Sequence, residues 1–229
     1  MSPQGEVIFR HRLPVRVMHW VNVICIVILL GSGLQIFNAH PALYWGADSR
    51  DATLILELPK FPGWATIPGM QFLAMGRVWH FFFAWLFVIN GAAYVLYTIF
   101  SGHLRRDMVP TKSEWRGIGR SILDHIKLKH PHGDEAKRYN VLQNIAYLSI
   151  VFVVLPLIVV GGLAMSPMMD SIAAGWVDIF GGRQAARTLH FIAAAIIVAF
   201  VLVHVFEVIV TGLVNNLRSM ITGYWRVPK

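Results

Sequence analysis

A four-helix bundle crossing a membrane is the all-α fold class that this sequence predicts, and three observations predict it. Of 229 residues, 56% are hydrophobic and only 14% charged, the balance of a chain that meets lipid rather than water. Four apolar runs are long enough to cross a hydrocarbon layer of about 30 Å: Val17–Phe37, Val78–Phe100, Gln143–Met165 and Leu189–Leu213. Lys and Arg also cluster by segment. Residues 10–16, 105–138 and 218–229 hold 15 of the 20, and only Arg50, Lys60, Arg77, Arg183 and Arg187 lie elsewhere. By the positive-inside rule, both termini and the middle loop face the cytoplasm, which makes the chain a multi-pass inner-membrane protein in a bacterium. The whole of 1–229 reads as one domain.

The net charge of +8 is then a topology signal and an attraction to anionic lipid. The basic residues flank the apolar runs and no recognition motif accompanies them, so no nucleic-acid partner is expected. Cys25 is the single cysteine; alone it can neither staple a fold nor build a cysteine metal site, and it reads as a small core residue. The first run is too long and too aromatic for a cleaved signal peptide and is expected to remain.

Taken in order, residues 1–16 form a short basic arm. The first span carries His19 near its start and the triplet Gly31-Ser32-Gly33 further on, small residues that let a helix approach another helix or a flat ligand. Residues 38–76 form a long outer loop, broken by Pro41, Pro59, Pro62 and Pro68, with Trp45 and Trp64 suited to the membrane interface. Its length without obvious secondary structure suggests a docking surface or a cover. The second span opens at Arg77-Val78-Trp79-His80. On the inner side, 113–129 reads as an amphipathic helix on the membrane surface, with Trp115, Ile118, Ile122 and Ile126 on one stripe. His11, His40, His103, His125, His130 and His132 read as solvated. The third span has no histidine; Pro156 is expected to bend it and Gly161-Gly162 to permit close approach. The fourth span, apolar throughout, carries His190 and His204.

Ionisable groups inside lipid usually face a bundle interior and a partner. His190 and His204 are 14 residues apart, hence roughly 21 Å along one helix and about 40° around it. The second and fourth spans run in the same direction, so His80 and His190 share the outer level. His19 and His204 share the inner level to within about a turn. Two facing imidazoles per level suit the axial positions of a haem iron, whereas zinc wants three or four ligands at one point. A proton relay would recruit carboxylates, and within the spans only Glu207 qualifies. Arg16 and Arg77 stand one turn before His19 and His80, placed to meet haem propionates.

Four spans with one histidine in the first, one in the second and a His-x13-His pair in the fourth resemble the prokaryotic cytochrome b561 family, over nearly the whole chain. The resemblance implies two bis-histidine haem b groups, with His19 and His204 on the inner one and His80 and His190 on the outer one. Trp79-His80-Phe-Phe-Phe-Ala-Trp-Leu, Tyr139-Asn-Val-Leu-Gln-Asn, Gly162-Leu-Ala-Met-Ser-Pro167 and Phe180-Gly-Gly-Arg-Gln-Ala-Ala-Arg-Thr-Leu-His190 resemble one branch, the membrane partners of periplasmic molybdopterin oxidoreductases. The implied function is electron transfer between an exchangeable membrane quinone and a periplasmic redox subunit, with no catalytic residues of its own and with room for a homodimer. Trp20 and Asn22 are quinone-site candidates whose alternative is packing. Two rivals remain. One is a stand-alone superoxide:quinone oxidoreductase, with Arg183, Arg187 and Lys60 steering an anion; propionate or phosphate pairing is the alternative role of those cations. The other is a haem-free membrane transporter.

Overall fold

A computed structural model describes residues 6–69, 72–126, 140–173 and 175–227. Among the described residues, four helical stretches are long and apolar enough to span a membrane: α1 (Leu13–Phe37), α2 (Leu73–Phe100), the third stretch Val141–Ala164, and α8 (Arg183–Val210). The chain is a multi-pass membrane protein. At ~1.5 Å per residue, even the shortest exceeds a ~30 Å hydrocarbon layer. Large apolar side chains such as Ile24, Val27, Ile89, Leu202 and Val203 are exposed, whereas Cys25, Gly31, Ser32, Ala185, Ala186 and Ala193 are buried. Helix packing in lipid favours that arrangement, because bulky chains gain nothing by leaving the tails while small ones let backbones approach.

The spans begin earlier than hydropathy predicts. Helix α2 starts five residues before Val78, and α8 starts six before Leu189. The third span is a composite: α5 (Val141–Ser149), a π-helical segment Ile150–Val154, and α6 (Leu155–Ala164). Pro156 explains the interruption. It has no N–H to give and its ring crowds the preceding turn, and a π-widened turn absorbs both. Asn140 caps α5: its side chain accepts from the Leu142 N–H, and Gln143 reaches back to the Asn140 N–H at 3.2 Å.

Residue contacts divide the chain into two units. The first comprises residues 1–20, 92–152 and 199–229. Here β1 (Val7–Phe9) pairs antiparallel with β4 (Tyr224–Arg226), in the register Ile8↔Trp225, so both ends of the chain join one small sheet. Trp225 and Val227 are buried against Ile8, and the Arg10 guanidinium lies 4.3 Å over the Trp225 ring. After the left-handed Gly212 comes a further helix, α9 (Leu213–Thr222). Its Leu213, Val214, Leu217 and Ile221 are exposed and its Ser219 buried. The expected inner amphipathic helix is α3 (Lys112–Arg116) and α4 (Ile118–Ile126), broken at Gly117. Trp115 and Ile122 of its apolar stripe are exposed. The rest of that expectation, with His130 and His132, lies outside the described residues.

The second unit comprises residues 21–91 and 153–198. The loop between α1 and α2, expected on the outer side, has more structure than expected. Strands β2 (Ala42–Tyr44) and β3 (Leu54–Glu57) form a hairpin with a register shift after Leu43, and short 3-10 turns cover Asp51–Thr53 and Gly63–Ala65. The loop is fastened to the spans. Asn38, just past α1, exchanges two hydrogen bonds with the Phe61 backbone, at 2.8 and 2.7 Å. The Gly46 carbonyl accepts the Gln184 and Ala185 N–H groups, both at 3.0 Å, satisfying two of the four donors that a helix start leaves over. Thr188 donates to the Tyr44 carbonyl at 2.7 Å. A short helix α7 (Pro167–Ile172) follows the third span.

Candidate functional site: two pairs of facing histidines

In the second unit, α2 presents His80 and α8 presents His190, with ring centres 6.2 Å apart and planes at 65°. In the first unit, α1 presents His19 and α8 presents His204, with ring centres 6.4 Å apart. The structure therefore brings together the two pairs that depth alone predicts. Both distances bear on what could sit between the rings. Two imidazoles bound to opposite sides of one metal, at about 2 Å per bond, have ring centres on the order of 6 Å apart.

The rings of the second unit are held from behind. Ser32 Oγ donates to the Ile28 carbonyl at 2.7 Å and meets His80 Nδ1 at 3.1 Å. The Ile158 carbonyl of α6 accepts from His190 Nδ1 at 2.8 Å. Both rings thus use Nδ1 outward, leaving Nε2 as the nitrogen able to ligate. Glycines make the approach possible. A Cβ on Gly33 would lie 3.4 Å from His80 Cε1, and one on Gly162 would lie 3.3 Å from His190 Cε1. Each glycine thus has an imidazole against it. Gly31 instead receives Ile67 of the outer loop, whose N–H donates to the Gly31 carbonyl at 3.1 Å.

The rings of the first unit have aromatic neighbours. Phe200 stacks on His204 with centres 5.9 Å apart, Tyr147 of α5 stands edge-on to it at 6.5 Å, and Trp20 stands edge-on to His19 at 5.3 Å. His19 Nδ1 is buried and has no hydrogen-bond partner among the described residues. The donor set at both pairs fits a haem held by two axial imidazoles. No three His, Cys, Asp or Glu side chains gather into an ion site among the described residues.

The remaining candidates are placed as follows. Arg16 donates to the Ile221 carbonyl through one terminal nitrogen, while its buried Nε has no hydrogen-bond partner among the described residues. Arg77 lies over the Phe81 ring at 5.7 Å. Trp20 donates to the Met220 carbonyl at 3.0 Å and Asn22 accepts from Asn90 at 2.7 Å, so both quinone-site candidates have packing roles. Arg187 donates to the His40 and Ala42 carbonyls and covers the Phe37 ring. Its guanidinium is thus engaged by carbonyls of the loop that follows α1. Ser32 and the Ile158 carbonyl were not singled out as ring partners by the sequence. The Gly31-Ser32-Gly33 triplet was a visible signal for the first; a backbone carbonyl leaves none.

The chain belongs to the prokaryotic cytochrome b561 family, whose sequence profile matches residues 10–223. Among similar proteins, a chain of Azospira oryzae named as the protein-methionine-sulfoxide reductase subunit YedZ1 is 33% identical over 209 residues, covering 91% of this chain and 93% of its own. A Cupriavidus necator protein named as a Ni/Fe-hydrogenase B-type cytochrome subunit is 25% identical over 93% of this chain and 85% of its own. A protein of Escherichia coli named as cytochrome YdhU is 28% identical over 98% of this chain and 77% of its own.

Proposed function

We propose that this chain is a membrane electron-transfer subunit that holds two haem b groups, one between His19 and His204 and one between His80 and His190. The carrying observation is the geometry of the two ring pairs, 6.4 and 6.2 Å between centres, each in an apolar helical setting. Bound haem supplies one-electron oxidation and reduction at iron. The side chains orient and insulate. His19 with His204 and His80 with His190 would each hold the iron on two imidazole nitrogens, and a haem so held would supply electron transfer rather than oxygen chemistry. Arg16, whose buried Nε has no hydrogen-bond partner among the described residues, and Arg77 are proposed to meet propionates.

The electrons are proposed to pass between membrane quinone and a redox subunit on the periplasmic side, of the molybdopterin type that the branch resemblance implies. The names of the relatives, subunits of a methionine-sulfoxide reductase and of hydrogenases, support an oxidoreductase partner. The basic segments support cytoplasmic termini in an inner membrane, and the pairing of β1 with β4 supports both ends on one side. Membership in a cytochrome family supports haem over a haem-free transporter. Engagement of Arg187 by loop carbonyls weakens the stand-alone superoxide:quinone oxidoreductase, because it removes one of three cations proposed to steer the anion.

The test is direct. Purified protein in lipid should show a b-type spectrum on reduction with dithionite, and a quinol should reduce it. A colourless preparation would end the haem reading, and a coloured one that no quinol reduces would end the quinone reading.

A further inference from the structure

We infer that Ser32 is a positioning residue for His80 and sets the electron affinity of the site between His80 and His190. The inference rests on the proposed reading that these two rings ligate haem, and it explains the middle member of the Gly31-Ser32-Gly33 triplet.

The argument starts from the hydroxyl's single proton. Ser32 Oγ has two carbonyl oxygens in reach, Ile28 at 2.7 Å and Leu29 at 3.3 Å. A carbonyl can only accept, and the Ile28 contact is the shortest that the hydroxyl makes, which places its proton there. The oxygen then offers a lone pair to His80 Nδ1 at 3.1 Å, and the tautomer that matches it carries the ring's proton on that nitrogen. The lone pair of neutral His80 is therefore on Nε2. His190 reaches the same state by a different route, because the Ile158 carbonyl at 2.8 Å can only accept from Nδ1. Ser32 is fully buried and Gly33 leaves the ring its room. The hydroxyl is thus held between a backbone acceptor and a ring donor.

A remote N–H hydrogen bond makes an imidazole a more basic ligand, and outer-shell hydrogen bonding is one of the protein's levers on haem potential. A more basic axial ligand favours ferric over ferrous iron. The His80–His190 pair has such a bond on both rings, whereas His19 Nδ1 of the other pair has none among the described residues. The two sites differ in this respect although both offer two histidines.

The experiment is a spectroscopic redox titration of the full-length protein in lipid, for the unmodified chain, Ser32→Ala and Ser32→Thr. Ser32→Ala should raise the potential of one haem, leave the other unmoved and retain both haems; Ser32→Thr, which keeps the hydroxyl, should restore the original value. Two unshifted potentials in a Ser32→Ala protein that holds two haems would overturn the inference. Should the variant not assemble, pulsed EPR of the unmodified protein decides. Its remote imidazole nitrogens should fall into a hydrogen-bonded pair at one haem and at least one weakly bonded nitrogen at the other. Four equivalent nitrogens would overturn the inference. A preparation with no haem would instead refute the reading on which it rests.

Discussion

Gly161 and Gly162 are adjacent on α6, yet the structure predicts that alanine is tolerated at one and disturbs the site at the other. A Cβ at Gly161 would lie 3.6 Å from His190 Cβ and 3.7 Å from the Ala186 carbonyl, both ordinary contacts. A Cβ at Gly162 would lie 3.3 Å from His190 Cε1 and 3.5 Å from Nδ1, so the ring must give by a few tenths of an ångström. That shift acts on the 2.8 Å bond to the Ile158 carbonyl. Overpacking of this size costs about 1 kcal/mol, the low end of the usual range. Glycine to alanine inside a helix returns about 0.8–1 kcal/mol. The two nearly cancel at Gly162, and only the gain remains at Gly161. Thermal melts followed by circular dichroism should therefore show Gly162→Ala close to the unmodified protein and Gly161→Ala slightly more stable. The low-spin EPR signal of one haem should move in Gly162→Ala alone. A signal that moves in Gly161→Ala but not in Gly162→Ala would refute the placement of His190 against α6.

Other expectations follow from the same geometry. Gly76→Ala should destabilise by about 1–3 kcal/mol, the usual cost of overpacking, because its Cβ would meet the Cγ of buried Gln35 at 2.7 Å; a chemical-denaturation series that shows no loss would count against the α1–α2 packing. Arg187→Ala removes the charged donors to the His40 and Ala42 carbonyls, each worth about 1.5–3 kcal/mol, and should speed protease cleavage within the β2–β3 hairpin. An unchanged cleavage rate would show that the clip is dispensable. His11, which the sequence reads as solvated, is half-buried beside the first span, and burial first and then the nearby Arg10 and Arg16 charges hold it at about 4. Its folded value lies below its unfolded value of about 6.5, so protonation favours the unfolded chain. Stability should fall as the pH drops from about 6.5 toward 4 and level off below that. Melting temperatures of His11→Gln should fall less over this window than those of the unmodified protein, and parallel curves would contradict the burial of His11.

The spans were legible because hydropathy over some twenty residues outweighs local detail, and their ends were not because polar turns can extend a helix beyond the apolar run. Arg183–Arg187 show the reason. Their helical start is completed by the Gly46 carbonyl from a distant loop, a partner that no window of sequence contains. The hairpin escaped for a related reason: strands of three and four residues with an irregular register leave no alternation to read. Helix α9 is short and polar on one face, and hydropathy averages it away. The pairing of the histidines was legible from depth, since span direction and rise per residue fix which rings can meet. What stands behind each ring was not. Ser32 sits 48 residues from His80, and the acceptor for His190 is a main-chain oxygen, which every residue possesses.

Haem content per polypeptide, measured in the unmodified protein and in His80→Ala and His204→Ala, bears most directly on the central claim. The account predicts two haems per unmodified chain and the loss of one in each variant, from sites that differ in spectrum. A ratio of one in the unmodified protein, or variants that keep both haems, would contradict it.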